Sequence, residues 1–318
     1  MYCIASPFSK TFDYIGLIYS IPNFLEWKIK VWNIVEVPIK STIEVAVVLD
    51  IVTKVSIDDS KIKSIISLKN SHIHLQSYQV ELLKWISQHY FSAIHNSLNL
   101  FFPKNLKDKI LKDTIDKEIK KRKLEVFSYN ENNKILLSEK QDKVYNSIKQ
   151  SKNNKKLLYW VTGSGKTEIY IKLIKDELQK WSQSLFLIPE IILTNQLATR
   201  IKDIFWNDVL IINSTISDAI KTKNWVNIYN WNAKVVIWTR SALFYPYRDL
   251  WLIIIDEEHD NSFISDSQPR YNAIEVAEKI SELHNSKLVL WSGTPSIKSM
   301  YKWVTWEYEL IYLLNKFE

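Results

Sequence analysis

Residues 157–170 read LLYWVTGSGKTEIY, and the order of residue types in this stretch decides how its surroundings fold. Leu157, Leu158 and Tyr159 form an apolar run of strand character. A turn containing Gly163 and Gly165 follows, and Lys166-Thr167 opens a helical pattern that continues through Ile174. The backbone N–H groups of such a turn wrap a phosphate, and the helix N-terminus adds the positive end of its dipole. In the loop Thr162 to Thr167, with Trp160 at its entry, Gly163, Ser164 and Gly165 cradle the phosphates of ATP. Lys166 reaches the β- and γ-phosphates, and the Thr167 hydroxyl holds Mg²⁺. A chance Gly-Ser-Gly-Lys-Thr loop is the competing reading. The apolar strand before the loop and the helix after it weigh against that.

Downstream, the chain alternates in the same way. Leu185–Ile188, Val235–Ile237, Leu252–Ile255 and Leu288–Leu290 are continuous apolar runs separated by helical stretches. Uninterrupted runs of this kind indicate a parallel sheet covered on both faces. Each run ends in a chemically distinctive segment: Ile188-Pro189-Glu190, Thr239-Arg240-Ser241, Asp256-Glu257-Glu258-His259 and Ser292-Gly293-Thr294-Pro295. Ligands in such sheets bind outside the carboxyl ends of the strands. Asp256 is therefore assigned to Mg²⁺ and Glu257 to orienting the attacking water. His259 is assigned to linking hydrolysis to a nucleic-acid site. Ser292, Gly293 and Thr294 would relay the state of the γ-phosphate, and Thr239 and Arg240 would contact a DNA backbone. An acidic loop or a Ser/Thr loop alone would mean little; the pairing with the phosphate loop is what gives these segments weight.

Residues 1 to 97 look β-rich, with β-branched runs at Ile34–Pro38 and Ile43–Val48 and a helical stretch from Gln79 to Ile94. Residues 98–140 read as a helical, charged connector; its run Lys117–Lys123 is a solvated helix face or a linker. Residues 141–318 form the nucleotide-binding region. The net charge of +7 suits an anionic partner, but 37 of the 42 basic residues are Lys in a chain rich in Ile and Asn, so basicity alone decides little. Cys3 is the only cysteine, which excludes an internal disulfide and a thiolate zinc site. No apolar run reaches membrane-spanning length and no secretory layout opens the chain, so a soluble cytoplasmic protein is expected.

The ordered set TGSGKTE, LIPEIILTNQ, VVIWTRSALFYP, LIIIDEEHD, SQPRYNA and LVLWSGTPS resembles the PriA-type superfamily 2 replication-restart DNA helicases across residues 140–312. The resemblance implies a RecA-like lobe preceded by a small DNA-binding domain. It also implies ATP-dependent 3′-to-5′ unwinding of forked or single-stranded DNA, with primosome and single-strand-binding proteins as partners. Gln141, in LSEKQ, falls at the family's adenine-contacting position. Phe12, Asp13 and Tyr14 resemble its pocket for a DNA 3′ end, although ordinary core packing is an equal alternative for the two aromatics. Phe263, Arg270 and Tyr271 fall in its aromatic-rich loop, where exposed rings would stack bases. Two other readings are a different superfamily 2 translocase and a non-catalytic fork-binding protein with a dead motor lobe. The PRYNA segment and the Phe-Asp-Tyr triplet argue against the first.

One feature of composition is abnormal. At roughly 7% usage a chain of this length carries about 22 Gly; this one has 4 Gly and 13 Trp. Trp160, Trp238, Trp251 and Trp291 occupy positions where the resembling family has Gly. Trp32 and Trp181 do too and, by weaker alignment, so do Trp206, Trp231 and Trp306, whereas Trp85 and Trp225 sit where it accepts Trp. The codon UGA is read as glycine under some genetic codes and as tryptophan under others. Most of these Trp are therefore expected to be Gly in the native protein.

By the same resemblance, a second motor lobe with its arginine finger, worth roughly 10³ to 10⁵ in rate, and a zinc module lie outside residues 1–318. This stretch alone is expected to bind nucleotide weakly and not to unwind DNA.

Overall fold

The computed structural model describes residues 1–9, 15–69, 73–112, 114–115, 135–160, 165–189, 200–201, 203–205, 209–211 and 216–313. Backbone proximity divides the chain into two units. The first comprises Met1–Arg122, Ser217–Val226 and Asp266–Tyr271; the second comprises Lys123–Ile216, Asn227–Ser265 and Asn272–Glu318.

The first unit is built on an antiparallel sheet. Its strands are β1 (Tyr2–Pro7), β2 (Leu17–Ser20), β3 (Ile34–Ile39), β4 (Thr42–Val52) and β5 (Ser67–Leu68), in the order β2-β1-β4-β3-β5. A two-residue turn joins β3 to β4, and Lys40 takes the left-handed conformation that such hairpins need (φ 51°). One face of the sheet buries Cys3, Ala5, Val35, Val37, Ala46 and Val48. Burial pushes the Cys3 thiol up to about 12, so it behaves as a small apolar side chain. Helices α1 (Ser77–His89), α2 (Ile94–Phe101) and α3 (Lys104–Leu111) follow.

The single helix expected over 79–94 is two helices. Phe91 turns left-handed (φ 47°), and the Ser92 N–H donates to Ser87 O at 3.0 Å, which closes α1 before α2 begins. The first unit also takes in Trp225, on helix α6 (Asp218–Tyr229). Its Nε1 donates to Phe101 O at 2.9 Å and its ring stacks on Phe102.

The second unit is a parallel sheet. Its strands are β6 (Lys155–Trp160), β7 (Gln183–Leu187), β8 (Val209–Ile211), β9 (Val235–Trp238), β10 (Leu250–Ile255), β11 (Lys287–Ser292) and β12 (Glu309–Leu313). They run in the order β12-β6-β11-β10-β7-β9-β8. The helices are α4 (Glu139–Gln150), α5 (Lys166–Gln179), α7 (Ala273–His284) and α8 (Ile297–Val304), besides the end of α6. The five apolar runs read from the sequence are β6, β7, β9, β10 and β11, while β8 and β12 add a strand at each edge, and the continuity of the runs has the expected cause. Leu252, Ile253, Ile254 and Ile255 are all buried, so neither face of β10 meets water. Leu252 and Ile254 pack with Val289, Val144, Ile169 and Leu173 in one core, which joins α4 and α5 to the sheet. The architecture is thus an α/β lobe with a parallel sheet and, separately, a β-rich N-terminal unit, as the sequence led one to expect.

Three helices of this unit end alike. Trp181, Trp231 and Trp306 follow α5, α6 and α8 with φ of 66°, 64° and 65°. In each case the left-handed residue donates its N–H back three positions and the next residue donates back five. At the end of α7 the same place is taken by Asn285 (φ 54°). Among the described residues the remaining left-handed Trp is Trp32 (φ 76°), whose N–H donates to Val48 O at 2.7 Å.

Candidate nucleotide-binding site

Because all strands of the second unit are parallel, their carboxyl ends share one edge. Gly165 ends the phosphate loop in the left-handed conformation (φ 74°, ψ 34°) and starts α5, so Lys166 and Thr167 occupy its first turn. Thr162, Gly163 and Ser164 lie outside the described residues, as does the side chain of Trp160. β10 lies beside β11, and β11 beside β6, so Asp256 and the phosphate loop emerge one strand apart.

Lys166 Nζ stands 2.6 Å from Asp256 Oδ1 and 2.6 Å from Glu257 Oε1. The cation and both carboxylates assigned from sequence therefore meet at one point. Burial opposes the charge on Lys166, but Asp256 and Glu257 outweigh it, and the ammonium is held above the ordinary lysine range. Burial pushes the Asp256 carboxyl up, while Lys166 and Tyr170 pull it down. Glu257 is itself left-handed (φ 48°), a conformation that costs a non-Gly residue energy and concentrates at functional sites.

Two residues without an assigned role complete the arrangement. Tyr170 is buried, and its hydroxyl donates to Asp256 Oδ1 at 2.8 Å. The spacing from Lys166 to Tyr170 is four residues, which puts both on one face of α5, but an aromatic on such a face reads as core. Glu258 accepts from the Ser296 N–H (2.7 Å), the Ser296 hydroxyl (3.0 Å) and the Ser299 hydroxyl (3.0 Å). Its own N–H donates to Trp291 O at 3.0 Å. It therefore ties the acidic segment to the start of α8, which begins at Ile297 after Ser292-Gly293-Thr294.

His259 Nδ1 lies 2.7 Å from the buried Ser292 Oγ, which also accepts the Thr294 N–H at 3.1 Å. The acidic segment and the Ser-Gly-Thr turn are thus in direct contact. Gln141 is buried near the start of α4. Its Oε1 accepts the Ser138 N–H at 2.8 Å and its Nε2 donates to Gly165 O at 2.9 Å, so its amide spans the cap of α4 and the end of the phosphate loop.

The residues assigned to DNA are placed differently. Phe12, Asp13 and Tyr14 lie outside the described residues, as does the Lys117–Lys123 run. Arg240 Nη1 donates to Ser262 O at 2.6 Å and to Ile264 O, bracing the loop that follows the acidic segment; Thr239 beside it is half-buried. Phe263 and Tyr271 are only 2% and 4% exposed, so the aromatic faces expected to stack bases are turned inward, and Arg270 is the exposed member of that group. The expectation of open rings failed because apolar area packs inward wherever a loop allows it. Among the described residues no group of three or more His, Cys, Asp or Glu converges as a metal cluster. No helix among them is long and apolar enough to cross a membrane.

Residues 138–303 match the model of the DEAD/DEAH box helicase family, and residues 3–103 match the 3′DNA-binding domain (3′BD). The chain belongs to the DEAD/DEAH box helicase family. It is 34% identical over 317 residues to the replication restart protein PriA of Rickettsia conorii, covering 99% of this chain and 46% of that protein. Its match to PriA of Bacillus subtilis is 41% over 160 residues, 50% of this chain and 20% of that one. The chain therefore spans about half, or less, of the length of the curated relatives it matches. Among solved structures, the Pyrococcus furiosus Hef helicase domain superposes with a TM-score of 0.44 at 18% identity, over 59% of this chain and 40% of that one.

Proposed function

We propose that residues 1–318 supply the ATP-binding lobe and the DNA-end-binding part of an ATP-dependent 3′-to-5′ DNA helicase that acts in replication restart. The observation that carries this reading is Lys166 held between Asp256 and Glu257 at the carboxyl edge of the parallel sheet. A half-buried cation paired to two acidic side chains can exchange one anion for another. When the phosphates of ATP enter, Lys166 turns to them, and the freed carboxylates take up their own roles. Asp256, with Thr167, fits the all-oxygen donor set that Mg²⁺ favours, and bound Mg²⁺ supplies neutralisation of phosphate charge. Glu257 accepts a hydrogen bond from the attacking water and orients it. Gly163, Ser164 and Gly165 wrap the phosphates, and Gln141 reads the adenine edge.

Hydrolysis is communicated through His259 and Ser292 to the Ser-Gly-Thr turn, and through Glu258 to α8. Thr239, Arg240, Arg270 and the loops carrying Phe263 and Tyr271 face the DNA backbone, and Phe12, Asp13 and Tyr14 receive a DNA 3′ end. Primosome and single-strand-binding proteins are the partners, and zinc belongs to a region outside residues 1–318. These residues form one lobe of a two-lobe motor, so they bind nucleotide weakly by themselves and strand separation belongs to the whole protein.

The test measures affinity for a forked DNA with and without ATP, and again with a blocked 3′ end. The reading expects nucleotide-dependent affinity and a loss of binding on blocking. Tight fork binding indifferent to ATP would instead show a pure DNA-binding protein.

A further inference from the structure

We infer that Trp32, Trp181, Trp231 and Trp306 stand where the native protein carries glycine. The ground is backbone conformation, which is independent of any alignment. For an L-residue with a Cβ the left-handed region is strained, and glycine escapes that strain. A bulky residue there is an outlier, yet these four Trp lie at φ between 64° and 76°.

The hydrogen bonds say what these positions are for. At the end of α5, Trp181 N–H donates to Leu178 O (2.9 Å) and Ser182 N–H to Glu177 O (3.1 Å). At the end of α6 the pair is Trp231 to Ile228 (3.0 Å) and Asn232 to Asn227 (2.8 Å). At the end of α8 it is Trp306 to Trp303 (3.0 Å) and Glu307 to Lys302 (2.8 Å). Each is the helix-ending motif that places glycine, or less often asparagine, in the left-handed slot. Asn285 fills that slot at α7, with Ser286 N–H donating to Ser281 O at 2.9 Å.

Two of the three indoles at these ends are mostly exposed, whereas Trp231 is half-buried with Lys234 Nζ 3.6 Å from its ring centroid. Trp181 is 61% exposed and Trp306 is 87% exposed. Trp225 is the contrast, being buried, stacked on Phe102 and hydrogen-bonded through Nε1, as a genuine tryptophan is. A single cause, one codon assigned to the wrong one of two amino acids, explains both the excess of Trp and the scarcity of Gly.

The decisive measurement is the mass of the peptides spanning 181 and 306 in protein from the native source, with the codons read from its DNA. Glycine masses and UGA codons at 32, 181, 231 and 306 are expected, with UGG at 225. Tryptophan masses, or UGG at the four positions, overturn the inference. A physical control uses the chain as written. Trp181→Gly and Trp306→Gly should each raise Tm by about 2–4 °C, while Trp225→Gly lowers it. A fall in Tm for both helix-end variants would remove the conformational ground.

A different observation carries a second proposal: the geometry points to Tyr170 as a positioning residue for Asp256. It rests on the reading of Asp256 as a Mg²⁺-holding carboxylate. Asp256 Oδ1 accepts from both Lys166 Nζ and the Tyr170 hydroxyl. Once Lys166 turns to phosphate, Asp256 Oδ1 keeps the Glu257 N–H at 3.1 Å and the Tyr170 hydroxyl at 2.8 Å, and Tyr170 is the side chain that then holds the carboxylate in place. The Tyr170 ring is fixed against Phe186, with centroids 4.9 Å apart, so the hydroxyl is aimed rather than free to swing.

The test is Tyr170→Phe in the full chain, titrating Mg²⁺ against the affinity for a fluorescent ADP. The variant should need several-fold more Mg²⁺ to reach the same affinity, with Tm little changed. No Mg²⁺ effect in the unaltered chain would overturn the reading of Asp256, and this proposal with it. A normal Mg²⁺ effect that is identical in the variant would overturn the role of Tyr170 alone.

Discussion

Lys166 Nζ and Asp256 Oδ1 stand 2.6 Å apart although 90 residues separate them in the chain, and Glu257 closes on the same ammonium from the next position. Removing the cation, as in Lys166→Met, leaves the nearly inaccessible Asp256 carboxylate without its ion partner. Breaking a buried pair in this way costs about 3 kcal/mol. The expected outcome is a lower Tm together with loss of ATP binding. Equilibrium unfolding and a nucleotide titration on the same preparation check both; retained stability would mean that the pair is not held in solution.

Glu258 gathers three hydrogen bonds from Ser296 and Ser299. Glu258→Gln keeps the shape but weakens acceptance, at a cost of about 1–3 kcal/mol. In the whole protein the variant should keep its affinity for nucleotide while DNA stimulates hydrolysis less. Basal and DNA-stimulated ATPase rates measured side by side separate the two effects; equal stimulation in both proteins would confine Glu258 to stability.

The Ser138 side chain accepts the Gln141 N–H while Gln141 Oε1 accepts the Ser138 N–H, a reciprocal cap at the start of α4. Ser138→Ala should cost about 1 kcal/mol and release one restraint on Gln141. Denaturant titration measures the first effect, and discrimination between ATP and other nucleoside triphosphates measures the second.

His284, the last residue of α7, is pushed by burial down to about 4 from an ordinary value of 6.5, with Asp249 opposing. The unfolded chain then binds more protons than the folded one between those values. Stability is fully present above pH 6.5 and falls as the pH is lowered toward 4, by about 1–2 kcal/mol after allowance for solvent screening. Comparing Tm against pH for the chain and for His284→Gln checks the assignment, because the variant should show a shallower acid limb.

The legible parts of the fold were those whose pattern is local. Leu252–Ile255 announced a strand buried on both faces, and Gly165-Lys166-Thr167 announced a helix start against a phosphate. The break of 79–94 into two helices was not legible, because Phe91 carries no left-handed preference of its own. Tyr170 was hidden for a different reason: an aromatic on a helix face reads as core, and only the approach of β10 puts a carboxylate within reach of its hydroxyl. Phe263 and Tyr271 read as open aromatics because residue type does not tell which way a loop side chain turns.

By itself the sequence determined the alternation of the central strands with helices, the residues at those strand ends and the surplus of Trp over Gly, since these follow from composition and from spacing along one chain. Only the tertiary structure decided which ends meet. The 90 residues between Lys166 and Asp256 carry no local rule for their distance. The stacking of β6, β11 and β10 brings the two side chains together, in a setting where burial strengthens the attraction between opposite charges. The left-handed Trp belong to both levels. Composition showed that glycine was missing, and three helix ends and the turn at Trp32 showed four places where its freedom is required, because φ is a property of the folded backbone.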